Sequence, residues 1–182
     1  MTRSIDRDAA CHCGQLRLRL TGAPQLVSSC HCQACQRRTG AVFGSSSFFA
    51  KNQVVATAGE HRTYRRQGDS GAWLVFHFCP TCGSNVFWEN ARLPDIVNVA
   101  VGAFADSDFP APARTVWTQT KHAWVGFPAE IPNYPKNPWR AMTPGNARER
   151  RHDRAATLPA PRRSPDPPSV SCLWSRVPTT QR

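Results

Sequence analysis

The sequence predicts an all-β protein with little helix, and two observations support that fold class. Short apolar runs, some of which alternate with a period of two, recur between turns rich in Gly, Pro and Asn. No window of a dozen residues keeps the apolar stripe that an amphipathic helix would bury. We therefore expect short strands joined by tight turns.

Residues 16–20 read LRLRL, which predicts a strand with one buried face. Residues 33–39 can form one helical turn. Residues 42–50, rich in Phe and Ser, and the short β-branched run at 54–58 are expected to be strands. Residues 73–78 are nearly all apolar, which predicts a strand covered on both faces. Further strands are expected at residues 86–88, 96–101, 115–118 and 124–127, the last before a Pro-rich exit.

Composition divides the chain of 182 residues into two parts. Residues 1–139 are expected to form one folded domain, and residues 140–182 a disordered tail. The tail carries seven prolines, nine arginines and three acidic residues, so it holds a net charge of +6 out of +11 for the whole chain. It cannot bury enough apolar surface to offset the entropy of ordering it. Because over half of the excess charge lies there, the basic composition is weak evidence that the folded part binds nucleic acid.

The sequence also bears on the compartment. No apolar run approaches the ~20 residues that cross a bilayer, and the N-terminus has no apolar stretch typical of a secretion signal. We therefore expect a cytoplasmic protein without a membrane partner, with its oligomeric state open. Disulfides are rare in that compartment, so eight cysteines predict metal ligands or reactive thiols.

Seven of the eight cysteines fall into three clusters, and Cys172 lies alone in the tail as an expected free thiol. Sulfur atoms one to four residues apart can reach one ion at a Zn–S distance of ~2.3 Å, because a tight turn folds the backbone around the metal. The clusters are two pairs, Cys11 with Cys13 and Cys79 with Cys82, and one triple, Cys30 with Cys32 and Cys35.

A structural zinc ion takes four cysteines, so seven cysteines make one closed site with three ligands left over. The economical partition gives both pairs to the closed site and leaves the triple with an open fourth position. Such a position marks a catalytic zinc, where water or substrate binds. We therefore predict two zinc ions per chain, with Cys30, Cys32 and Cys35 as the catalytic residues.

Three alternatives stay open at this point. Two cysteines of the triple could pair with Cys79 and Cys82, although that strands three cysteines in two clusters. The triple could instead hold a second structural zinc completed by His31, with His12 and His77 flanking the other clusters. An iron–sulfur site is the third alternative, but three ligands fit it poorly.

Arg37 and Arg38 follow the triple directly. Three thiolates and Zn²⁺ together carry a charge of −1, which two guanidinium groups can offset. Alternatively, the arginines can hold an anionic substrate, since a guanidinium fork matches a carboxylate. Both are predicted substrate-binding residues.

The order CxCG, CHCxxCxRxTG and FCxxCG, at residues 11–14, 30–40 and 78–83, resembles one known family. These are the glutathione-dependent formaldehyde-activating enzymes, grouped with the centromere protein V domain. The later stretches PDIVNVAVGAFAD, VWTQTKHAWVGFP and IPNYPKNP are similar to that family too. The resemblance covers roughly residues 8–138.

The resemblance implies a β-tent fold, in which zinc pins a set of short antiparallel strands. It implies a structural zinc on the two pairs and a catalytic zinc on the triple. It also implies a carbon–sulfur lyase that joins glutathione and formaldehyde as S-hydroxymethylglutathione, so that the partners are a small thiol and an aldehyde. The acid–base residue is left unassigned.

Two functions compete. In the first, the protein is a carbon–sulfur lyase, and the open position of its catalytic zinc binds a thiol as thiolate or polarises the aldehyde oxygen. The alternative is a zinc-stabilised binding module whose basic tail contacts nucleic acid or an acidic partner. The sequence lacks the interleaved aromatic and basic residues that stack bases on a sheet, so nucleic acid is not favoured.

Overall fold

The computed structural model describes residues 6–138; the predicted tail and Cys172 lie outside the described residues. Within that range the chain forms eleven strands and one α-helix, so the predicted all-β class is confirmed. No helix in this range is long and apolar enough to cross a membrane. The strands are β1 Asp6–Ala10, β2 Arg17–Thr21, β3 Leu26–Cys30, β4 Gly44–Ala50, β5 Val54–Ala58, β6 Arg62–Gln67, β7 Trp73–Phe78, β8 Asn85–Asn90, β9 Ile96–Ala100, β10 Arg114–Val116 and β11 Asn133–Tyr134, and the helix is α1 Gln33–Thr39.

The strands form two sheets. The small sheet has the order β1-β2-β5, and the large sheet has the order β11-β10-β3-β4-β9-β8-β7-β6. Most pairs are antiparallel, as predicted. Strand β10 is the exception, because it lies parallel to both β3 and β11. That pairing sets Val116 beside Cys30 and so brings the segment after β10 to the cysteine triple.

The two sheets share one apolar core. In β2, Leu18 and Leu20 are buried while Arg17 and Arg19 face solvent, which is the predicted alternation. The same core cluster contains Phe49 of β4 in the large sheet. Burying each leucine is worth about 1.5–3 kcal/mol, so the alternation of β2 anchors the small sheet.

The prediction of a strand at residues 124–127 is wrong. The backbone N–H of Val125 donates to the carbonyl oxygen of His122 at 3.0 Å, so the chain turns there. This run is apolar because Val125 is buried and Phe127 packs against the ring of His31, with ring centroids 5.4 Å apart. Burial without strand pairing produces the same sequence signal as a strand.

Four strands, β1, β3, β6 and β11, are absent from the sequence prediction. Three of them are edge strands of their sheets, and β6 reads RTYRRQ with its side chains largely exposed. An exposed edge strand has little need of apolar residues, and charged side chains there discourage pairing with another chain. Helix α1, in contrast, spans the predicted residues and makes two turns, with none of its residues fully buried.

Gly59 allows the loop after β5 to dock on the small sheet. Its φ is +87°, and a Cβ added there would lie 1.9 Å from the backbone oxygen of Gln15. The Gln15 side chain in turn bonds Glu60, accepting from its backbone N–H at 2.9 Å. The backbone of residues 59–60 therefore has no room to withdraw without breaking that contact.

We predict that Gly59→Ala destabilises the protein by at least about 3 kcal/mol, because the clash with backbone adds to a left-handed conformation that costs ~1–2 kcal/mol. The measurement is the free energy of unfolding from urea denaturation. Gly71→Ala is the control, since Gly71 has φ +77° but open space around its added Cβ. Equal losses in the two variants would contradict the docking described here.

Candidate active site

The two cysteine pairs meet in one four-cysteine cluster, made of Cys11, Cys13, Cys79 and Cys82. Their Sγ atoms all lie within 4.8 Å of one another. The Sγ of Cys13 lies 3.5 Å from that of Cys11 and 3.6 Å from that of Cys79. A tetrahedral zinc with Zn–S bonds of ~2.3 Å spaces its sulfurs ~3.8 Å apart, so these atoms stand close to the spacing that zinc requires.

Hydrogen-bond donors surround the sulfurs of this cluster. The backbone N–H of Leu16 donates to Sγ of Cys11 at 3.3 Å, and the side-chain amide of Gln15 donates to Sγ of Cys79 at 3.1 Å. Sγ of Cys82 lies 3.4 Å from Oγ of Ser84, and hydrogen bonding with the side chain and the backbone of Ser84 lowers the pKa of the Cys82 thiol to about 5. Such donors favour the thiolate, which is the form that binds a metal.

The cysteine triple is built on the junction between β3 and α1. Cys30 ends β3, Cys32 is the N-cap of α1, and Cys35 lies in the first turn of that helix. The backbone N–H of Cys35 donates to Sγ of Cys32 at 3.4 Å, in the manner of an N-cap side chain. The three Sγ atoms lie within 4.8 Å of one another. The spacing of the cysteines and the turn at the start of α1 together bring their three Sγ atoms close to one another.

Among the described residues, no His, Asp or Glu joins the triple within that distance. The mixed partition, with two cysteines of the triple beside Cys79 and Cys82, does not occur in the structure. Hydrogen bonds from the thiols of Cys30 and Cys35 hold the pKa of Cys32 well below its usual range. The triple thus stabilises a thiolate and leaves a fourth side free of further ligands from this range.

His31 lies inside the triple in sequence, but its side chain points into the core. Its Nε2 is 2.9 Å from Oγ1 of Thr115, and its ring centroid is 5.4 Å from those of Phe43 and Phe127. The residue is fully buried, and that burial lowers the pKa of the imidazole. His31 is therefore a neutral packing residue, and the alternative in which it completes a second zinc site is wrong for this structure.

Gln36 ties the start of α1 to the turn that follows β10. Its Nε2 donates to the carbonyl oxygens of His31, at 2.7 Å, and Thr120, at 3.0 Å. The hydroxyl of Thr120 also donates to the oxygen of His31 at 2.9 Å. These three bonds hold the turn at residues 117–120 against the triple.

A cavity of about 510 Å³ opens beside the triple and is lined by all three of its cysteines. Helix α1, strand β6, the turn between β6 and β7 and the segment after β10 all contribute to its walls. Its volume falls in the range of about 300–1,000 Å³ that is usual for small-molecule sites. The cavity can therefore hold a ligand of tripeptide size against the cysteines.

The two predicted arginines face different surroundings. Arg37 lines the cavity of the triple. Arg38 lies outside that lining, with its guanidinium carbon 4.5 Å from the ring centroid of Trp88 and 5.2 Å from that of Phe76. It also donates to the side-chain oxygen of Asn85. Arg38 therefore packs on the sheet, and Arg66 of β6 lines the cavity in its place.

Trp117 forms part of the cavity wall in an unusual backbone conformation. Its φ is +60° and its ψ +37°, which is left-handed and strained for a bulky residue. The carbonyl oxygen of Trp117 accepts from both the backbone N–H and the hydroxyl of Thr120, each at 3.1 Å. Strain of this kind persists where the surroundings enforce it, often at binding sites.

The sequence profile of the "Glutathione-dependent formaldehyde-activating enzyme" family matches residues 6–120, which include both cysteine sites. The chain belongs to this family. Its enzymes are carbon–sulfur lyases, and the chain is an enzyme of that class whose substrate is open. The family resemblance inferred from the cysteine pattern is therefore confirmed.

The chain is also similar to two individual proteins. A protein of Halomonas elongata, provisionally named as a glutathione-dependent formaldehyde-activating enzyme, is 26% identical over 124 residues, covering 65% of this chain and 78% of its own length. A crystal structure of a Rhodobacter sphaeroides protein, a structural genomics target, aligns with a TM-score of 0.39 and 20% identity, covering 53% of this chain and 85% of that one.

Sequence reasoning missed several residues of the cavity wall, Arg66 and Trp117 among them. Arg66 had no signal, because β6 is an exposed strand without apolar alternation. Trp117 stands in the VWTQT stretch quoted for the family resemblance, but its position beside the triple depends on the parallel pairing of β10 with β3. The aromatic residues Phe48, Phe49 and Trp88 lie outside the lining of this cavity.

We predict that Trp117→Gly costs less than about 2 kcal/mol of stability, because glycine relieves the left-handed strain and offsets the lost contacts. Trp88→Ala, the comparison variant, should cost about 3–5 kcal/mol, since Trp88 is buried in a regular strand. Free energies of unfolding from urea titration test both. A loss of 3 kcal/mol or more in Trp117→Gly would show that the backbone strain is not relieved.

Proposed function

We propose that the chain catalyses the reversible addition of a glutathione-type thiol to formaldehyde, with the cysteine triple at the reaction site. The observation that carries the proposal is the contrast between the two cysteine sites. One gathers four sulfurs and is closed, whereas the other gathers three and opens on a cavity of about 510 Å³. A ligand bound in that cavity can reach the fourth side of the triple.

The donor sets fit zinc at both sites. Four thiolates with N–H donors to sulfur match a structural zinc site, and three thiolates match a catalytic one. We propose Cys11, Cys13, Cys79 and Cys82 as ligands of the structural zinc, and Cys30, Cys32 and Cys35 as ligands of the catalytic zinc. When bound at the triple, zinc supplies a Lewis-acid charge that stabilises a thiolate or polarises a carbonyl oxygen.

The chemistry is an addition without oxidation. The sulfur of the thiol forms a bond to the carbonyl carbon of formaldehyde, the C=O π bond breaks, and the thiol proton ends on the carbonyl oxygen. The chain contributes by holding the thiol in one place, which removes the entropy cost of bringing two reactants together. Arg37 and Arg66 offer guanidinium groups to the carboxylates of the thiol, and Trp117 and Leu74 supply apolar wall.

The competing idea, a binding module with two structural metals, requires a fourth ligand for the triple. None of the His, Cys, Asp and Glu side chains between residues 6 and 138 provides one. The open side supports the enzyme, while the proposed cytoplasmic location rests on the sequence alone.

We predict that the purified protein contains two zinc ions per chain, and that Cys30→Ser contains one while staying folded. The reason is that the four-cysteine cluster is separate from the triple and ties the two sheets together. Elemental mass spectrometry gives the metal content, and circular dichroism tests the fold. Catalysed formation of S-hydroxymethylglutathione should be lost in the same variant.

Cys172→Ser is the matched control, since Cys172 is far in the sequence from all seven proposed ligands, and we expect it to change neither zinc content nor activity. One zinc ion per chain in both the intact protein and Cys30→Ser would mean that the triple holds no metal. Full activity in Cys30→Ser would remove the triple from the reaction.

We predict that Arg37→Gln raises KM for glutathione about three- to tenfold with a smaller change in kcat, because an exposed guanidinium–carboxylate contact is worth roughly 1 kcal/mol. Steady-state kinetics, corrected for the uncatalysed reaction, measure it. Arg38→Gln is the neighbouring control. Because Arg38 packs on Trp88, this substitution should lower the free energy of unfolding and raise KM less than Arg37→Gln does. A KM unchanged in Arg37→Gln would remove this arginine from substrate binding.

A further inference from the structure

The cavity beside the triple has three charged side chains in its lining besides the cysteines. Two are positive, Arg37 on α1 and Arg66 on β6, and one is negative, Asp69. Asp69 lies in the tight turn between β6 and β7, which is closed by a bond from the backbone N–H of Gly68 to the carbonyl oxygen of Ala72 at 2.8 Å. The turn thus fixes where the carboxylate is presented.

None of these charges is paired in an ion pair within the described part of the protein. Between residues 6 and 138, neither Arg37 nor Asp69 forms an ion pair or a side-chain hydrogen bond with another residue. Arg66 donates only to the neighbouring carbonyl oxygen of Gln67, at 2.9 Å, and lies against the ring of Phe76. All three charges remain available to a ligand.

A second acceptor belongs to the same wall. The side-chain oxygen of Asn137 is buried and has no hydrogen-bond donor within the described range. Leaving such an acceptor unsatisfied is unfavourable, so a donor brought by a ligand would be stabilising there. The lining therefore offers two guanidinium groups without an ion-pair partner, and two acceptors, on Asp69 and Asn137, without donors.

The charged groups of the lining are equal in number and opposite in sign to those of a γ-glutamyl peptide thiol. Glutathione carries two carboxylates and one ammonium group at neutral pH, and the lining carries two guanidinium groups and one carboxylate. We infer that Asp69 is a specificity-determining residue that binds the ammonium group of the thiol, so that the enzyme selects against the same peptide without that charge. The inference rests on the proposed function, because it assumes that the thiol binds in this cavity.

The experiment compares glutathione with N-acetylglutathione, which has the same sulfur and carboxylates but no ammonium group. Affinity is measured by titration calorimetry on the zinc-loaded full chain, and rates of adduct formation with formaldehyde are measured in parallel. We expect the intact protein to bind glutathione about tenfold more tightly, in keeping with one charge-assisted contact. Asp69→Asn, which keeps the shape of the side chain, should reduce that ratio to about one.

Asp108→Asn is the control, because Asp108 is exposed, lies outside the cavity lining and undergoes the same charge change. It should keep the ratio of the intact protein. A ratio near one in the intact protein, or a ratio unchanged in Asp69→Asn, would overturn the role of Asp69 while catalysed adduct formation upheld the proposed function. Absence of both binding and catalysis with glutathione in the intact protein would overturn the proposed function as well.

Discussion

Four sulfur atoms from two distant turns lie within 4.8 Å of one another, and the rest of the structure depends on that junction. Cys11 and Cys13 follow the first strand of the small sheet, whereas Cys79 and Cys82 join β7 and β8 of the large sheet. Four thiolates so close together repel one another unless a cation compensates them, so the donor set calls for a metal. The metal would then tie the two sheets beside the apolar core that they share.

The position of the cysteine triple follows from the backbone pairing of the strands. Cys30 is the last residue of β3, and β10 lies parallel to β3 with Val116 as the partner of Cys30. The chain must leave β10 beside the triple, where Trp117 takes its left-handed turn. His31 supports this arrangement, because its ring packs against Phe43 and Phe127 and forms a hydrogen bond with Thr115 of β10.

How much the sequence could predict depends on whether a signal is local. The strict alternation of β2, the apolar run of β7 and the cysteine spacing all carry local information, and the structure contains both strands and both cysteine sites. Strand β7 is not covered on both faces as predicted, since only Phe76 among its residues is buried. The edge strand β6 carries none, since exposed backbone pairing makes little demand on side chains. Arg66 and Asp69 therefore escaped notice, although both line the cavity. Parallel pairing between β3 and β10, in which the partners Cys30 and Val116 lie 86 residues apart, leaves no local signal either.

The proposed difference in role between the four-cysteine cluster and the triple follows from the number of clustered cysteines, which is seven and not eight. With eight, both sites would be closed and the chain would have no place for a ligand. With seven, the triple and a bound Zn²⁺ carry a net charge of −1, which a neutral apolar wall would leave uncompensated.

Arg37 and Arg66 line the cavity beside that charge, and a guanidinium group that offsets the charge of the metal site is equally able to hold a carboxylate. In the proposed function, stabilising the thiolates and attracting an anionic thiol are thus one electrostatic property of the same cavity. Asp69 adds the opposite sign at the turn of the hairpin, and a single negative group among positive ones gives a bound zwitterion an orientation.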